Sequence, residues 1–311
     1  MVRKIEKSIP WITILAIFSM LVFGGVLFFK EALADSSTPR VSVPSAAPTV
    51  GTIILNLGNA INLTEYATTA VTGTTTITDA NGWADIVAVT STLYLTQTTT
   101  CNDGSSQVKW CYATTDVATV CSTLSTTTNT RIVSCTAYVW YVAEPSDASS
   151  SYPTKDWKME ITAIDTALNR ANNSTTKELN SIPSLDVYAT TNYGSVSPGV
   201  TSTQQTVTST VTGNISIDLN LSGTDFATTE GGYATISANR QTYSSTSMGN
   251  GTSSVGVSLW NTLAIFKVTL ATPTATTTAN TTSTYWIIDI PPTQAAAVYV
   301  GANTFLPIPN I

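Results

Sequence analysis

From residue 51 onward, apolar and polar residues alternate with a period of two. In Asp156 to Asp165 (DWKMEITAID), Trp157, Met159, Ile161 and Ala163 fall on one face, with Lys158, Glu160 and Thr162 on the other. That rhythm predicts a strand buried on one side; helical spacing does not reproduce it. The same pattern marks 84–95 (ADIVAVTSTLYL), 131–143 (RIVSCTAYVWYVA) and 215–222 (ISIDLNLS), where Ile215, Ile217, Leu219 and Leu221 oppose Ser216, Asp218, Asn220 and Ser222. In 131–143 the alternation groups Tyr138 and Trp140 with Ile132 as an inner surface and turns Tyr141 the other way. TIILNL (52–57), STYWIIDI (283–290) and AVYVGANTF (297–305) add strands. Asn81-Gly82, Asp103-Gly104, Pro198-Gly199, Gly231-Gly232 and Asn250-Gly251 lie between or beside these runs, as hairpin turns would. No amphipathic helix of three turns follows residue 34, which argues against a parallel α/β sheet and for an all-β chain.

The first 34 residues break the pattern. Arg3, Lys4 and Lys7 precede a 19-residue apolar run from Trp11 to Phe29, and Ala32-Leu33-Ala34 follows before Asp35. The layout reads as a signal peptide over 1–34, with an uncleaved membrane anchor helix as the alternative, because the run is long enough to cross a hydrocarbon core of about 30 Å. Residues 35–50, rich in Ser, Pro, Ala and Thr, read as a flexible spacer. The remainder exceeds one seven-strand sandwich. The polar stretch NNSTTKELNSIPS (172–184) divides it into two tandem β-sandwiches, 51–182 and 183–311.

Charge is sparse: 10% of residues are charged. Removing 1–34 takes Arg3, Lys4, Lys7 and Lys30 from the 13 basic residues and Glu6 and Glu31 from the 19 acidic ones, leaving 9 and 17, a net −8. No Lys/Arg cluster interrupts that acidic surface, so nucleic acid is excluded as a partner, and membrane contact is confined to the N-terminal segment if it is retained. The chain has no His, which removes Ser-His and Cys-His nucleophile systems and His-containing zinc sites. Its four cysteines, Cys101, Cys111, Cys121 and Cys135, all lie in the first sandwich. In an exported chain they predict two disulfides. Three pairings are open; Cys101 with Cys111 and Cys121 with Cys135 would each close a local hairpin. A four-thiolate zinc site is the alternative, but the close-paired ligand spacing is missing.

Few residues carry candidate chemistry, and no cofactor is implied apart from a candidate Ca²⁺ site. Asp79, Asn81 and Asp85 surround one turn and Asp165 ends a strand; together they offer hard oxygens for Ca²⁺, against the plainer reading of an Asx turn closed by Gly82. Trp83, Trp110, Tyr112, Tyr138, Trp140 and Tyr141 could stack on sugar rings or pack a core. Asn62, Asn172, Asn173, Asn214, Asn220, Asn250 and Asn280 open Asn-x-Ser/Thr sequons and are glycosylation candidates, in a number that chance supplies in so Ser/Thr-rich a chain. Asp156 or Glu160 with Asp165 is the one carboxylate grouping worth testing for glycoside hydrolysis, and the strand pattern puts Asp156 and Glu160 on a solvated face unsuited to a general acid. Catalysis is therefore not expected.

The signal segment, the Thr runs TGTTTIT (72–78), STTTNT (125–130) and TPTATTTANTT (272–282), the lack of His and the scattered sequons resemble exported surface and filament proteins of thermophilic archaea. The resemblance is one of overall style and transfers no residue-level site. It implies immunoglobulin-like sandwiches in a glycosylated, non-enzymatic, extracellular protein of the cell surface, partnered by itself, by other envelope proteins or by glycans. Some such proteins polymerise when an N-terminal strand of one subunit completes the sheet of the next. TVGTIILNL (49–57) could act so, or serve as the first strand of its own sandwich. The expectation is a structural or self-assembling filament or coat component. A monomeric adhesin or carbohydrate-binding module is the alternative, and a secreted hydrolase a distant third.

Overall fold

The computed structural model describes residues 37–96, 101, 108–113, 119–188, 190–249, 256–276 and 280–310. The signal or anchor segment and the Asp103-Gly104 and Asn250-Gly251 turns lie outside the described residues. The chain is all-β: among the described residues its only helical elements are three 3₁₀ turns, Asn56–Gly58, Trp83–Asp85 and Ala238–Arg240. No described helix is long and apolar enough to cross a membrane.

Nine strands build the first two layers: β1 (Thr49–Val50), β2 (Ile54–Leu55), β3 (Thr68–Thr78), β4 (Ile86–Leu95), β5 (Cys111–Ala113), β6 (Thr119–Thr126), β7 (Thr130–Trp140), β8 (Trp157–Asp165) and β9 (Arg170–Lys177). One sheet runs β1-β3-β7-β6, with β2 also on the edge of β3; the other runs β5-β4-β8-β9, and all pairings are antiparallel. The alternation of β8 resolves as expected, with Trp157, Met159, Ile161 and Ala163 fully buried. Trp157, Met159 and Ile161 meet Val71, Cys135, Ala137 and Val139 of the facing sheet in one core, and Ala163 packs with Ile77, Ile86 and Val133 in a second cluster.

In β7 the phase is the reverse of the expectation. Val133, Cys135, Ala137 and Val139 point inward, whereas Ile132 and Tyr138 are exposed and Tyr141 is buried. The physical reason is volume: β8 fills the interlayer space with Trp and Met, so the facing positions must be small, Ile132 and Tyr138 are turned out, and Trp140 stays half-buried at the margin of the core. Asn81-Gly82 is likewise no hairpin. It carries the chain from β3 to β4, which lie in different sheets, because Asp79 and Trp83 give their amides to Asn129 (2.9 Å) and Thr128 (3.1 Å) instead. The flexible spacer is also shorter than 35–50. Side-chain and backbone contacts begin at Ser45, Pro48 is buried, and Thr49 and Val50 pair with Thr78 and Ile77.

The following strands are β10 (Leu185–Tyr188), β11 (Gln205–Val211), β12 (Ile217–Gly223), β13 (Ala227–Thr228), β14 (Gln241–Ser244), β15 (Val257–Ser258), β16 (Ala264–Leu270), β17 (Thr281–Ile288), β18 (Tyr299–Val300) and β19 (Asn303–Pro309). They form the sheets β10-β11-β17-β14-β15 and β16-β12-β19 and the small pair β13-β18. Trp286 and Tyr243 from the larger sheet pack against Phe266 and Phe305 from the smaller, with Tyr243 and Phe266 edge to face at 4.9 Å. Trp286 is fully buried, and its indole N–H donates to Thr284 Oγ1 at 2.8 Å.

The two cores meet no common residue: one draws on positions up to Ile182, the other on positions from Leu185. Yet residues 45–311 form one compact unit, because the connection between them is hydrogen-bonded throughout. Ile61 and Asn180 exchange backbone bonds with Glu178 and Ile61, and Ser146 exchanges bonds with Leu179. Asp147 accepts from the amide and hydroxyl of Ser181 at 2.6 and 2.7 Å. Thr212 pairs with Ser184, and Gly213 approaches Ile182 so closely that a Cβ there would lie 1.9 Å from its carbonyl oxygen.

Candidate metal centre

Three carboxylates converge at one tip of the first pair of layers. Asp79 leaves β3 and folds an Asx turn, its Oδ1 accepting the Asn81 amide at 2.7 Å and its carbonyl the Gly82 amide at 3.2 Å. Gly82, at φ 111°, makes the bend that a side chain would resist. Asp85 closes the 3₁₀ turn that follows, and its carbonyl and Oδ1 accept the amide and hydroxyl of Thr166. Asp165 is the last residue of β8, opposite Ile86, and opens the hairpin to β9; its two oxygens accept the amide (2.7 Å) and Nδ2 (2.8 Å) of Asn169. Asp79, Asp85 and Asp165 each bring an oxygen within 4.8 Å of the other two.

Ser45 lies across two of them, its hydroxyl 3.1 Å from Asp85 Oδ2 and 3.2 Å from Asp165 Oδ2. Beside it, the Ala46 amide donates to Asn81 Oδ1 at 2.6 Å. Asn81 is thus turned toward the 45–46 backbone, outside the three-carboxylate group. Asp79 and Asp165 are 1% and 0% exposed, and Asp79 Oδ2 is sealed from solvent without a hydrogen-bond donor. Burial opposes ionisation of Asp165, but the bonds from Asn169, Ser45 and the Ala167 backbone outweigh it and hold the carboxyl below its usual range. The ion pairs among the described residues, Lys109–Glu144 and Lys158–Glu160, lie elsewhere. Three carboxylates and a hydroxyl are hard oxygen donors, suited to Ca²⁺ or Mg²⁺ and not to metals that prefer sulfur or imidazole. Ser45, Thr166 and Asn169 carried no signal in the sequence: Ser45 sits in the Ser/Pro-rich spacer, and the other two become partners only when β8 turns into β9.

The remaining candidates separate. Tyr112 and Tyr141 are buried, and Tyr112 OH donates to the Val108 carbonyl while accepting the Trp140 amide at 3.0 Å. Trp110 packs edge-on against Tyr152 at 5.5 Å. Trp83 and Tyr138 are exposed, but Trp83 bonds beside Thr128, ten residues from Tyr138, roughly 30 Å along a strand. No shared sugar platform results from these six. Glu160 is bound to Lys158 at 3.5 Å and to Asn172 at 3.1 Å, on the face of β8 opposite Asp165 and about 16 Å along the strand from it. That exceeds the carboxylate spacing of glycosidases.

Asn62 and Asn172 are exposed, Asn173 holds the Val50 and Gly51 carbonyls, and Asn280 holds those of Ala271 and Thr272. Asn220 is half-buried between Ile265 and Leu306 on the neighbouring strands, and Asn250 lies outside the described residues. Asn214 is only 2% exposed, with its amide fully engaged, so the folded chain has no room for a glycan there. Cys101 pairs with Cys111 and Cys121 with Cys135, leaving no free cysteine and no thiolate for zinc. A cleft of about 1150 Å³ opens between the larger and smaller sheets of the second half, lined by Val187, Tyr193, Gln241, Asn303 and Phe305 among others. Gln241 Nε2 donates to Asn303 Oδ1 at 2.9 Å and Asn303 Nδ2 donates to Gln241 Oε1 at 3.0 Å, and Tyr193 OH also donates to Gln241 Oε1.

No protein-family model and no curated protein matches the chain. Solved structures that match include dimeric latent PorU from Porphyromonas gingivalis, at 11% identity over 90% of this chain and 20% of that one, with a TM-score of 0.24. The secreted serine protease VesC from Vibrio cholerae matches at 7% identity over 80% of this chain and 49% of that one, with a TM-score of 0.20. The chain thus spans a fifth and about half the length of these two proteins, and at such scores the likeness carries no argument.

Proposed function

We propose that this is a non-enzymatic, exported protein of the cell envelope, built from two tandem immunoglobulin-like sandwiches, that assembles into a filament or coat by strand addition between copies. Strand order supports the sandwich reading: with the short β2 and β5 left out of the count, β1-β3-β7-β6 and β4-β8-β9 place the first, second, fifth and fourth strands in one layer and the third, sixth and seventh in the other. The two disulfides support an oxidising, extracellular setting.

The observation that carries assembly is a difference between the two smaller sheets. In the first, β4 and β8 are followed by an outer strand, β9; in the second, β12 and β19 are not, and β19 has no neighbour on its outer side among the described residues. The cleft between the larger and smaller sheets of the second half reaches that strand at Asn303 and Phe305. An added strand would pair there by β-augmentation. Pro307 and Pro309 offer carbonyls but no N–H, so full pairing is restricted to the Asn303–Phe305 end. Thr49–Leu57 already serves its own layer, with Ile53 and Leu55 buried. The donor therefore falls to Thr38–Pro44, in which Val41 and Val43 share one face of an extended segment and are 89% and 74% exposed.

Electron microscopy of native envelopes and light scattering of the isolated chain test the reading. Polymers are expected from the native chain and only monomers from the Val41→Asp/Val43→Asp variant. A native chain that stays monomeric at every concentration would discard the assembly reading in favour of a monomeric adhesin.

A further inference from the structure

The acidic tip presents an unsolved charge problem: Tyr141, Ser209 and Asn220 also bury an oxygen without a partner, but those groups are neutral, and Asp79 is the carboxylate among them. Asp79, Asp85 and Asp165 place three negative charges within 4.8 Å of one another, two of them on side chains with almost no solvent contact. Asp85 and Asp165 have donors on both oxygens. Asp79 has a donor on Oδ1 alone, and its Oδ2 is buried without one. A buried carboxylate oxygen left unpaired is costly enough that native proteins rarely keep one unless something outside the chain completes it.

The spacing says what that group is. Oxygens bound to one Ca²⁺ lie 2.3–2.6 Å from it, so neighbours in the shell are about 3 Å apart and opposite members about 4.6–5.2 Å. The Ser45 hydroxyl stands 3.1 and 3.2 Å from Asp85 and Asp165, and one oxygen of each carboxylate lies within 4.8 Å of the other two. Each carboxylate oxygen can accept a second partner, so the existing hydrogen bonds need not break. We propose that Asp79, Asp85 and Asp165, with the Ser45 hydroxyl, bind a calcium ion that fastens the Ser45–Ala46 segment to the tip of the first sandwich. The ion neutralises the mutual repulsion, supplies the partner that Asp79 Oδ2 lacks, and makes the start of the folded unit dependent on a divalent cation. This site is separate from the assembly edge, so the fate of either proposal leaves the other standing.

The test uses the full folded chain, stripped with a chelator and titrated with CaCl₂, with NaCl at matched ionic strength as control. Tm should rise at about millimolar Ca²⁺, the range of extracellular modules, and not with NaCl. Tb³⁺ luminescence excited through Trp83, two residues before Asp85, should appear and be displaced by Ca²⁺. Asp85→Asn, at a half-buried position, should weaken the apparent affinity about tenfold or more while keeping the circular dichroism of the native chain. Asp79→Asn should raise Tm in chelator, by removing one buried charge, and abolish the calcium increment. The proposal is overturned by a Tm unmoved at about 10 mM Ca²⁺, by an equal rise in NaCl, or by unchanged affinity in a folded Asp85→Asn chain.

Discussion

Asn214 accepts the amide proton of Ile182 at 2.6 Å, and from the same side chain its Nδ2 reaches the carbonyls of Ala143 (3.2 Å) and Asn180 (3.1 Å). One buried amide from the second half therefore satisfies three backbone groups of the first half across the junction. Asn214→Ala leaves them without partners, and at roughly 1–3 kcal/mol for each orphaned group, partly relieved by water entry, a loss of about 3 kcal/mol is expected. Urea unfolding followed by Trp fluorescence measures it, and a variant within about 0.5 kcal/mol of the native chain contradicts this role.

The alkaline limit of stability should be set by buried phenols. Burial pushes Tyr112 well above its ordinary value of 10.0, an effect that the hydrogen bond from the Trp140 amide only partly offsets. Burial raises Tyr193 as well. Because the folded state holds these protons more tightly than the unfolded chain, their contribution is complete below pH 10 and is withdrawn as pH rises above it. Tm measured between pH 8 and about 11.5 should be flat and then fall. Tyr112→Phe should start lower, having lost the acceptor of the Trp140 amide, and fall less steeply.

Cys121 and Cys135 stand opposite each other across β6 and β7 and close a loop with a sequence separation of 14. In the chain-entropy view such a link contributes about 3 kcal/mol by restricting the unfolded state. The Cys121→Ala/Cys135→Ala chain should lose about 2–3 kcal/mol in denaturant titration and keep its β-type circular dichroism. Collapse of the fold would give the bond a larger part than the core around Trp157 allows.

Glycan occupancy should follow exposure. If the exporting cell modifies sequons, peptide mass spectrometry should find sugar on Asn62 and Asn172 and none on Asn214. Occupancy at Asn214 would require attachment before folding and would break the junction described above.

The period-two rhythm made the strands legible because the faces of β8 and β12 differ sharply in polarity. It failed in β7, where Ile132, Tyr138 and Trp140 carry larger apolar side chains than Cys135 and Ala137, yet the space left by Trp157 and Met159 admits only the smaller set. The acidic residues were legible as oxygen donors, since Asp79 and Asp85 share a turn. Their meeting with Asp165 depends on the Ile86–Asp165 register, which no local pattern states. Ser45 was hidden for a further reason: a hydroxyl in a Ser/Pro-rich stretch looks like solvent-facing spacer until the strap it belongs to is seen lying across two carboxylates.

The stretch from Glu178 to Ser184 has a mechanical consequence. A slack tether would lengthen under a weak pull and let the two halves swing independently. Here extension must shear the bonds to Ile61, Ser146 and Asp147 and draw out the Asn214 amide in the same event. Extension is therefore resisted until these bonds give way together, so the chain should lengthen under tension as a bar does and not as a string.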